Sequence, residues 1–135
     1  QAEQIGVLRT NTMLYLQHLI GKAVLRRIFV CFPDPQFKRT THRRRIVSPA
    51  LLDEYAYMLR EGGRVYTITD VEDVHVWMRD HGLEHPYFEP VPESDLKDDP
   101  WLPIMKLTDE GKKAKREGRP HLVAVFQRVS DEKAD

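Results

Sequence analysis

Apolar residues recur along the chain in two rhythms. Short runs rich in β-branched and aromatic side chains read as buried strands, and stretches where apolar residues return every three or four positions read as helices. Ile5-Gly6-Val7-Leu8 is the first short run. Asn11 or Thr12 can cap a helix carrying Met13, Leu14, Leu16, Leu19 and Ile20, which Gly21 ends. Ile28-Phe29-Val30-Cys31-Phe32 is a second strand, stopped by Pro33, Asp34 and Pro35. Ser48-Pro49 then supplies a cap and a proline in the first helical turn. The helix it opens carries Leu51, Leu52, Tyr55, Met58 and Leu59, and Gly62-Gly63 is expected to stop it. Arg64-Val65-Tyr66-Thr67-Ile68-Thr69 is the next strand, followed by a helix over residues 72–81 that Gly82 closes.

The last third is less regular. Tyr87-Phe88-Glu89-Pro90-Val91 suits a short edge strand, where proline is tolerated. Residues 94–101 read as an acidic loop. Thr108-Asp109-Glu110 begins a helix that is acidic first and basic last, as the helix dipole prefers, and Arg119-Pro120 breaks it. A terminal strand spans residues 121–127. The strand-helix-strand alternation predicts an α/β fold with a parallel sheet of about five strands. Residues 1–129 belong to the folded domain, and residues 130–135 read as a flexible tail.

The 135 residues carry 21 Lys and Arg against 21 Asp and Glu, so the net charge is zero and any basic patch is local. One cysteine excludes an internal disulfide and fits a reducing, intracellular compartment. No apolar stretch approaches the ~20 residues that span a membrane, so no membrane partner is expected.

Chemistry gathers where strands end. Asp34 and Asp70 each stand just beyond a strand. If those strands are parallel neighbours, both carboxylates lie at one sheet edge, where open α/β sheets bind ligands. Two solvated acids ending strands is the plainer alternative. No third oxygen ligand stands at adjacent spacing, so no metal site is expected. Lys38, Arg39, His42, Arg43, Arg44 and Arg45 follow Asp34 with no acid among them. Five cations in eight residues repel one another without an anionic partner, and the arginine fork matches phosphate, so this cluster is expected to bind nucleic-acid backbone. The histidines give little sign of catalysis: His42 lies among arginines that disfavour its protonated form. Thr108, Asp109 and Glu110 are explained by capping, although a helix-start with two acids can also recognise a polar ligand.

Three motifs, Phe32-Pro33-Asp34-Pro35-Gln36-Phe37-Lys38-Arg39-Thr40-Thr41-His42-Arg43-Arg44-Arg45, Thr67-Ile68-Thr69-Asp70 and Thr108-Asp109-Glu110-Gly111-Lys112-Lys113, resemble in that order the tRNA (guanine-N7-)-methyltransferase family, in its eukaryotic catalytic-subunit form. The resemblance runs from about Ile5 to Arg128. It implies a class I S-adenosylmethionine-dependent (Rossmann-like) fold with strand order 3-2-1-4-5-7-6, and methyl transfer from S-adenosyl-L-methionine to N7 of guanine 46 in tRNA. It also implies a heterodimer with a non-catalytic WD-repeat subunit and a location in the nucleus, with the cytoplasm as a second site.

Carried over residue by residue, the resemblance makes Asp34 and Asp70 catalytic, with Asp70 contacting guanine. It makes Asn11, Thr12, Cys31, Thr108, Asp109 and Glu110 cofactor-binding. Lys38, Arg39, His42, Arg43, Arg44 and Arg45 become the tRNA contact. Thr12 and Cys31 depart from the residues commonly found at those positions, alanine and leucine. The Gly-rich loop and the acid that grip the cofactor in the family have no counterpart here. The chain therefore reads as the C-terminal portion of the domain, an incomplete sheet from the family's third strand onward, whose N-terminal half is a missing partner. Alone it is expected to be inactive. A non-catalytic RNA-binding α/β domain and an interaction fragment are the alternatives.

Overall fold

The computed structural model describes residues 20–37 and 47–134. The expected first strand and first helix, and the basic cluster from Lys38 to Arg45, lie outside them.

Among the described residues ten elements follow in order: β1 (Leu25–Cys31), α1 (Pro49–Met58), β2 (Leu59–Thr69), α2 (Glu72–Glu84), β3 (Phe88–Pro90), α3 (Glu93–Leu96), α4 (Trp101–Lys106), α5 (Asp109–Arg116), β4 (Leu122–Arg128) and α6 (Asp131–Ala134). The sheet order is β1-β2-β4-β3. β1 and β2 are parallel, and β4 inserts antiparallel between β2 and β3. The parallel arrangement expected from the strand-helix-strand alternation holds for β1 and β2, and β4 departs from it. This order and the reversed β4 agree with the last four strands, 4-5-7-6, of the order the resemblance implies, as in a Rossmann-like methyltransferase. β3 is three residues long and contains Pro90, consistent with its edge position.

The alternation of side chains along each strand divides the core between two faces. Ile28 and Val30 of β1, Val65 of β2, Phe126 of β4 and Phe88 pack with Leu51, Leu52 and Tyr55 of α1 and Val74 and Met78 of α2. On the other face Tyr66, Ile68 and Val125 pack with Val91 and Met105, and Cys31, Leu96, Trp101 and Leu102 border them. Arg128 crosses the first layer almost fully buried. It donates to the carbonyls of Ala56 at 2.8 Å and Val129 at 2.5 Å and to Asp131 Oδ1 at 2.7 Å, with its guanidinium over the Tyr87 ring. Asp131 is thereby tied to β4 at the start of the segment read as a tail.

The caps fall where the residues demand. Ser48 Oγ accepts from Leu51 N at 3.3 Å, with Pro49 at the first helical position. The glycines correct the expected boundaries. α1 ends at Met58 and β2 begins at once, so Gly62-Gly63 is not a helix stop. It forms a bulge in β2, where the register jumps from Leu25↔Leu59 to Arg27↔Arg64. Gly62 takes φ +81°, and a Cβ on Gly63 would stand 2.9 Å from the Arg60 carbonyl oxygen. Gly82 lies inside α2, not at its end, because the helix passes so close to Phe126 that a Cβ would sit 2.6 Å from the ring. Residues 94–101, expected as loop, contain most of α3 and the first residue of α4.

Candidate active site

Parallel pairing brings the ends of β1 and β2 together. Cys31 faces Ile68 in register, and Phe32 N donates to Ile68 O at 2.7 Å, extending the ladder by one bond. Asp34 and Asp70 follow within a few residues and so occupy the C-terminal edge of the two parallel strands, the arrangement expected if those strands are neighbours. β4 runs the other way, with Leu122 opposite Thr69, so the residues just before β4 arrive at the same edge.

The Asp34 turn is built with strain. Phe32 and Gln36, at its two ends, both take φ +49°, a region that costs side-chain-bearing residues about 1–3 kcal/mol each. Asp34 is exposed, and its Oδ1 accepts from Gln36 N at 3.0 Å, a short-range turn that fixes the carboxylate on its own backbone. Phe32 meets the edge of the His121 ring, centroid to centroid 6.1 Å.

Asp70 is largely covered, its side chain 18% exposed, and its Oδ2 accepts from Arg119 Nη1. Arg119 Nε donates to Glu117 Oε2 at 2.8 Å. The paired acids hold the Arg119 guanidinium above its ordinary pKa, the hydrogen bond to Asp70 most of all.

Thr108 is the N-cap of α5. Its hydroxyl accepts from Gly111 N and donates to Met105 O, both at 3.2 Å, while Asp109 and Glu110 stand exposed in the first turn. Gly111 is needed here, since a Cβ would lie 2.4 Å from the Lys106 carbonyl oxygen. His121 Nε2–H donates to the Gly111 carbonyl at 2.9 Å. One short segment, Arg119-Pro120-His121, thus touches Asp70, the start of α5 and the head of the Asp34 turn.

Cys31 closes β1, half-buried, and burial pushes its thiol pKa up, so the sulfur is protonated and neutral. Asn11 and Thr12, and Lys38, Arg39, His42, Arg43, Arg44 and Arg45, lie outside the described residues. The structure therefore brings Cys31, Asp34, Asp70, Thr108, Asp109 and Glu110 to one end of the sheet and says nothing of the rest. Among the described residues no group of three His, Cys, Asp or Glu is placed to hold a metal ion, and no helix is long and apolar enough to cross a membrane.

Sequence reasoning missed Arg119 and His121. Arg119-Pro120 reads only as a helix breaker. The signal that could have found it is a cation at a helix exit leading into a strand that neighbours an acid-ended one.

A cavity of about 610 Å³ lies elsewhere, around the β2 bulge, lined by Arg26, Arg60, Arg64, Asp95 and Asp99 among others. Its wall is a structural network. Asp99 accepts from Tyr66 Oη at 2.6 Å, Trp101 N at 2.8 Å and Arg64 Nη1 at 3.1 Å. The acids that end the strands do not line it.

The chain matches, over residues 1–124, the family described as "Putative methyltransferase". It is 49% identical over 130 residues to the tRNA (guanine-N(7)-)-methyltransferase of Mus musculus, covering 96% of this chain and 48% of that protein. The proteins of the same name from Homo sapiens and Zea mays are 50% and 47% identical, each covering 96% of this chain and 47% and 51% of their own lengths. The chain spans about half the length of the curated relatives it matches.

Proposed function

The chain belongs to this methyltransferase family, and from that premise we propose that it is part of an enzyme methylating N7 of guanine 46 in tRNA. The observation that carries the reading is the placement of Asp34 and Asp70 at one edge of parallel strands, beside the acidic start of α5. Relatives named as tRNA (guanine-N(7)-)-methyltransferases support the substrate.

Guanine N7 already carries a lone pair, so attack on a sulfonium methyl needs no proton removed. What accelerates it is alignment, together with negative potential beside a base that becomes cationic. Asp34 supplies that potential from an exposed position on a stiff turn. Asp70 accepts from guanine N1–H and the exocyclic amine, turning N7 toward the methyl group.

S-adenosyl-L-methionine, when bound, supplies the activated methyl. The donor set at this edge suits it: Asp109 and Glu110, exposed in the first turn of α5, favour a cationic cofactor, and the neutral Cys31 thiol offers a soft, uncharged wall. Asn11, Thr12, Cys31, Thr108, Asp109 and Glu110 would hold it together with an upstream half of the domain. Lys38, Arg39, His42, Arg43, Arg44 and Arg45, which follow the Asp34 turn directly in the chain, hold the tRNA backbone. A WD-repeat subunit completes the nuclear enzyme.

The test is methyl transfer to unmodified tRNA by the full-length protein with its partner, followed by mapping of the modified atom. Asp34→Ala should lower kcat by about 10²–10³, the scale of one lost electrostatic stabiliser, with S-adenosyl-L-methionine affinity nearly unchanged. Unchanged turnover would refute the role.

A further inference from the structure

The cation that grips Asp70 is itself rigidly built. α5 ends in two bonds that wrap its last turn: Gly118 N donates to Lys115 O at 3.2 Å and Arg119 N to Ala114 O at 2.8 Å. This is the Schellman arrangement, and it needs a residue at positive φ, here Gly118 at +71°. Arg119 is therefore the residue at which the helix closes. Pro120 stiffens the next position, and His121 returns to Gly111 at the helix start. α5 is held at both ends, and Arg119 leaves it in a fixed direction.

Asp70 gains a defined orientation from this. A carboxylate has two oxygens and about four acceptor positions. Arg119 Nη1 engages Oδ2, and among the described residues Oδ1 has no hydrogen-bond partner. The guanidinium is shared with Glu117, so two acids and one cation leave one net negative charge. Arg119 thus restrains the carboxylate without cancelling its potential.

We infer that Arg119 is a positioning residue for base recognition: by holding one oxygen of Asp70 it sets the carboxylate plane that reads guanine N1–H and the exocyclic amine, and so determines discrimination against bases lacking that amine. The inference rests on the role proposed above for Asp70. Arg119 does not touch the base; it acts through Asp70.

The experiment compares guanine with inosine, which keeps N1–H and lacks the amine, at the target nucleotide of one tRNA. Steady-state methylation is measured with the full-length enzyme and its partner, for wild type, Arg119→Met, Arg119→Lys and Asp70→Asn. Arg119→Met should narrow the guanine-to-inosine ratio of kcat/KM by about tenfold, the scale of one misaligned charge-assisted hydrogen bond. Arg119→Lys, which restores a cation without the fork, should recover part of it. A ratio unchanged in Arg119→Met, or activity lost equally on both tRNAs, overturns the inference. Should Arg119→Met not fold, Arg119→Gln is read by the same criterion. Asp70→Asn separates the two ideas. If it leaves the ratio at the wild-type value, the reading of Asp70 fails and takes this inference with it. If it narrows the ratio while Arg119→Met does not, only Arg119 is misassigned.

Discussion

Gly82→Ala pits two elementary expectations against each other. Gly82 lies within α2, and replacing a glycine inside a helix by alanine normally stabilises by about 1 kcal/mol. Here the new Cβ would meet Phe126 Cε1, Cδ1 and Cζ at 2.6, 2.7 and 2.8 Å. That is short of ordinary contact by roughly 0.8 Å, the difference between 3.4 and 2.6 Å. The ring cannot give way easily, being 1% exposed and set edge-on against Phe88 at 5.2 Å. Forcing a carbon into such a core costs about 1–3 kcal/mol. The clash wins, and net destabilisation of about 1 kcal/mol is expected from urea unfolding of the full-length protein, as a lower midpoint at unchanged slope. The same change in a Phe126→Leu background should cost less, or stabilise, because the smaller side chain frees the space; a coupling of about 1 kcal/mol measures the contact. A cost that persists undiminished in that background would refute the packing explanation and return Gly82 to a purely backbone role.

Arg128→Met should destabilise by about 3 kcal/mol, since it strips hydrogen bonds from buried carbonyls of Ala56 and Val129 as well as a partner from Asp131; thermal unfolding checks it, and a loss under about 1 kcal/mol would count against the clamp. Asp99 makes stability acid-sensitive. Burial pushes its carboxyl up, but the hydrogen bonds from Tyr66 and Trp101 and the Arg64 guanidinium outweigh burial and hold its pKa below the ordinary 3.8. The unfolded state therefore binds the proton first, so the contribution of Asp99 is present above pH 3.8 and is lost as pH falls through the lower folded value. Asp99→Asn should cost about 2 kcal/mol at neutral pH and flatten the acid limb of the stability curve; an unchanged limb would show that other carboxylates dominate it.

The local grammar of this chain was legible where one residue suffices to decide a backbone choice. Ser48-Pro49 and Thr108 start helices where their side chains can cap amides, and Pro90 sits on an edge strand because it has no amide to donate. The acids ending two strands could be placed at one sheet edge because parallel neighbours share their direction. Glycine was the ambiguous letter. Gly62-Gly63 and Gly82 have the composition of helix stops, yet one pair makes a bulge and the other residue makes room for Phe126, and neither use is visible without knowing what lies across the gap. The residues of Leu122 to Arg128 do not by themselves say that this strand runs antiparallel beside β2; its neighbour follows from the strand order that the resemblance implies. Arg119 was missed because its partner, Asp70, is distant in sequence and becomes adjacent only through that reversed strand.

The reversed strand also explains why this edge of the sheet can be rigid before anything binds. A loop leaving a parallel strand, such as the Asp34 turn, is tethered at one end by the ladder and must find its other constraints elsewhere. Phe32 and Gln36 hold positive φ at a cost of about 1–3 kcal/mol each, so the turn relaxes unless its surroundings over-determine it. β4 supplies that support by arriving from the opposite direction, placing His121 against Phe32 and Arg119 on Asp70. α5, capped at both ends, joins the two contacts into one unit. The acids are thus fixed by contacts that do not include the groups they are proposed to recognise. For a reaction that requires alignment and negative potential without proton abstraction, that prior rigidity is the contribution a protein can make, because little of the binding energy of a large substrate is then consumed in ordering the site.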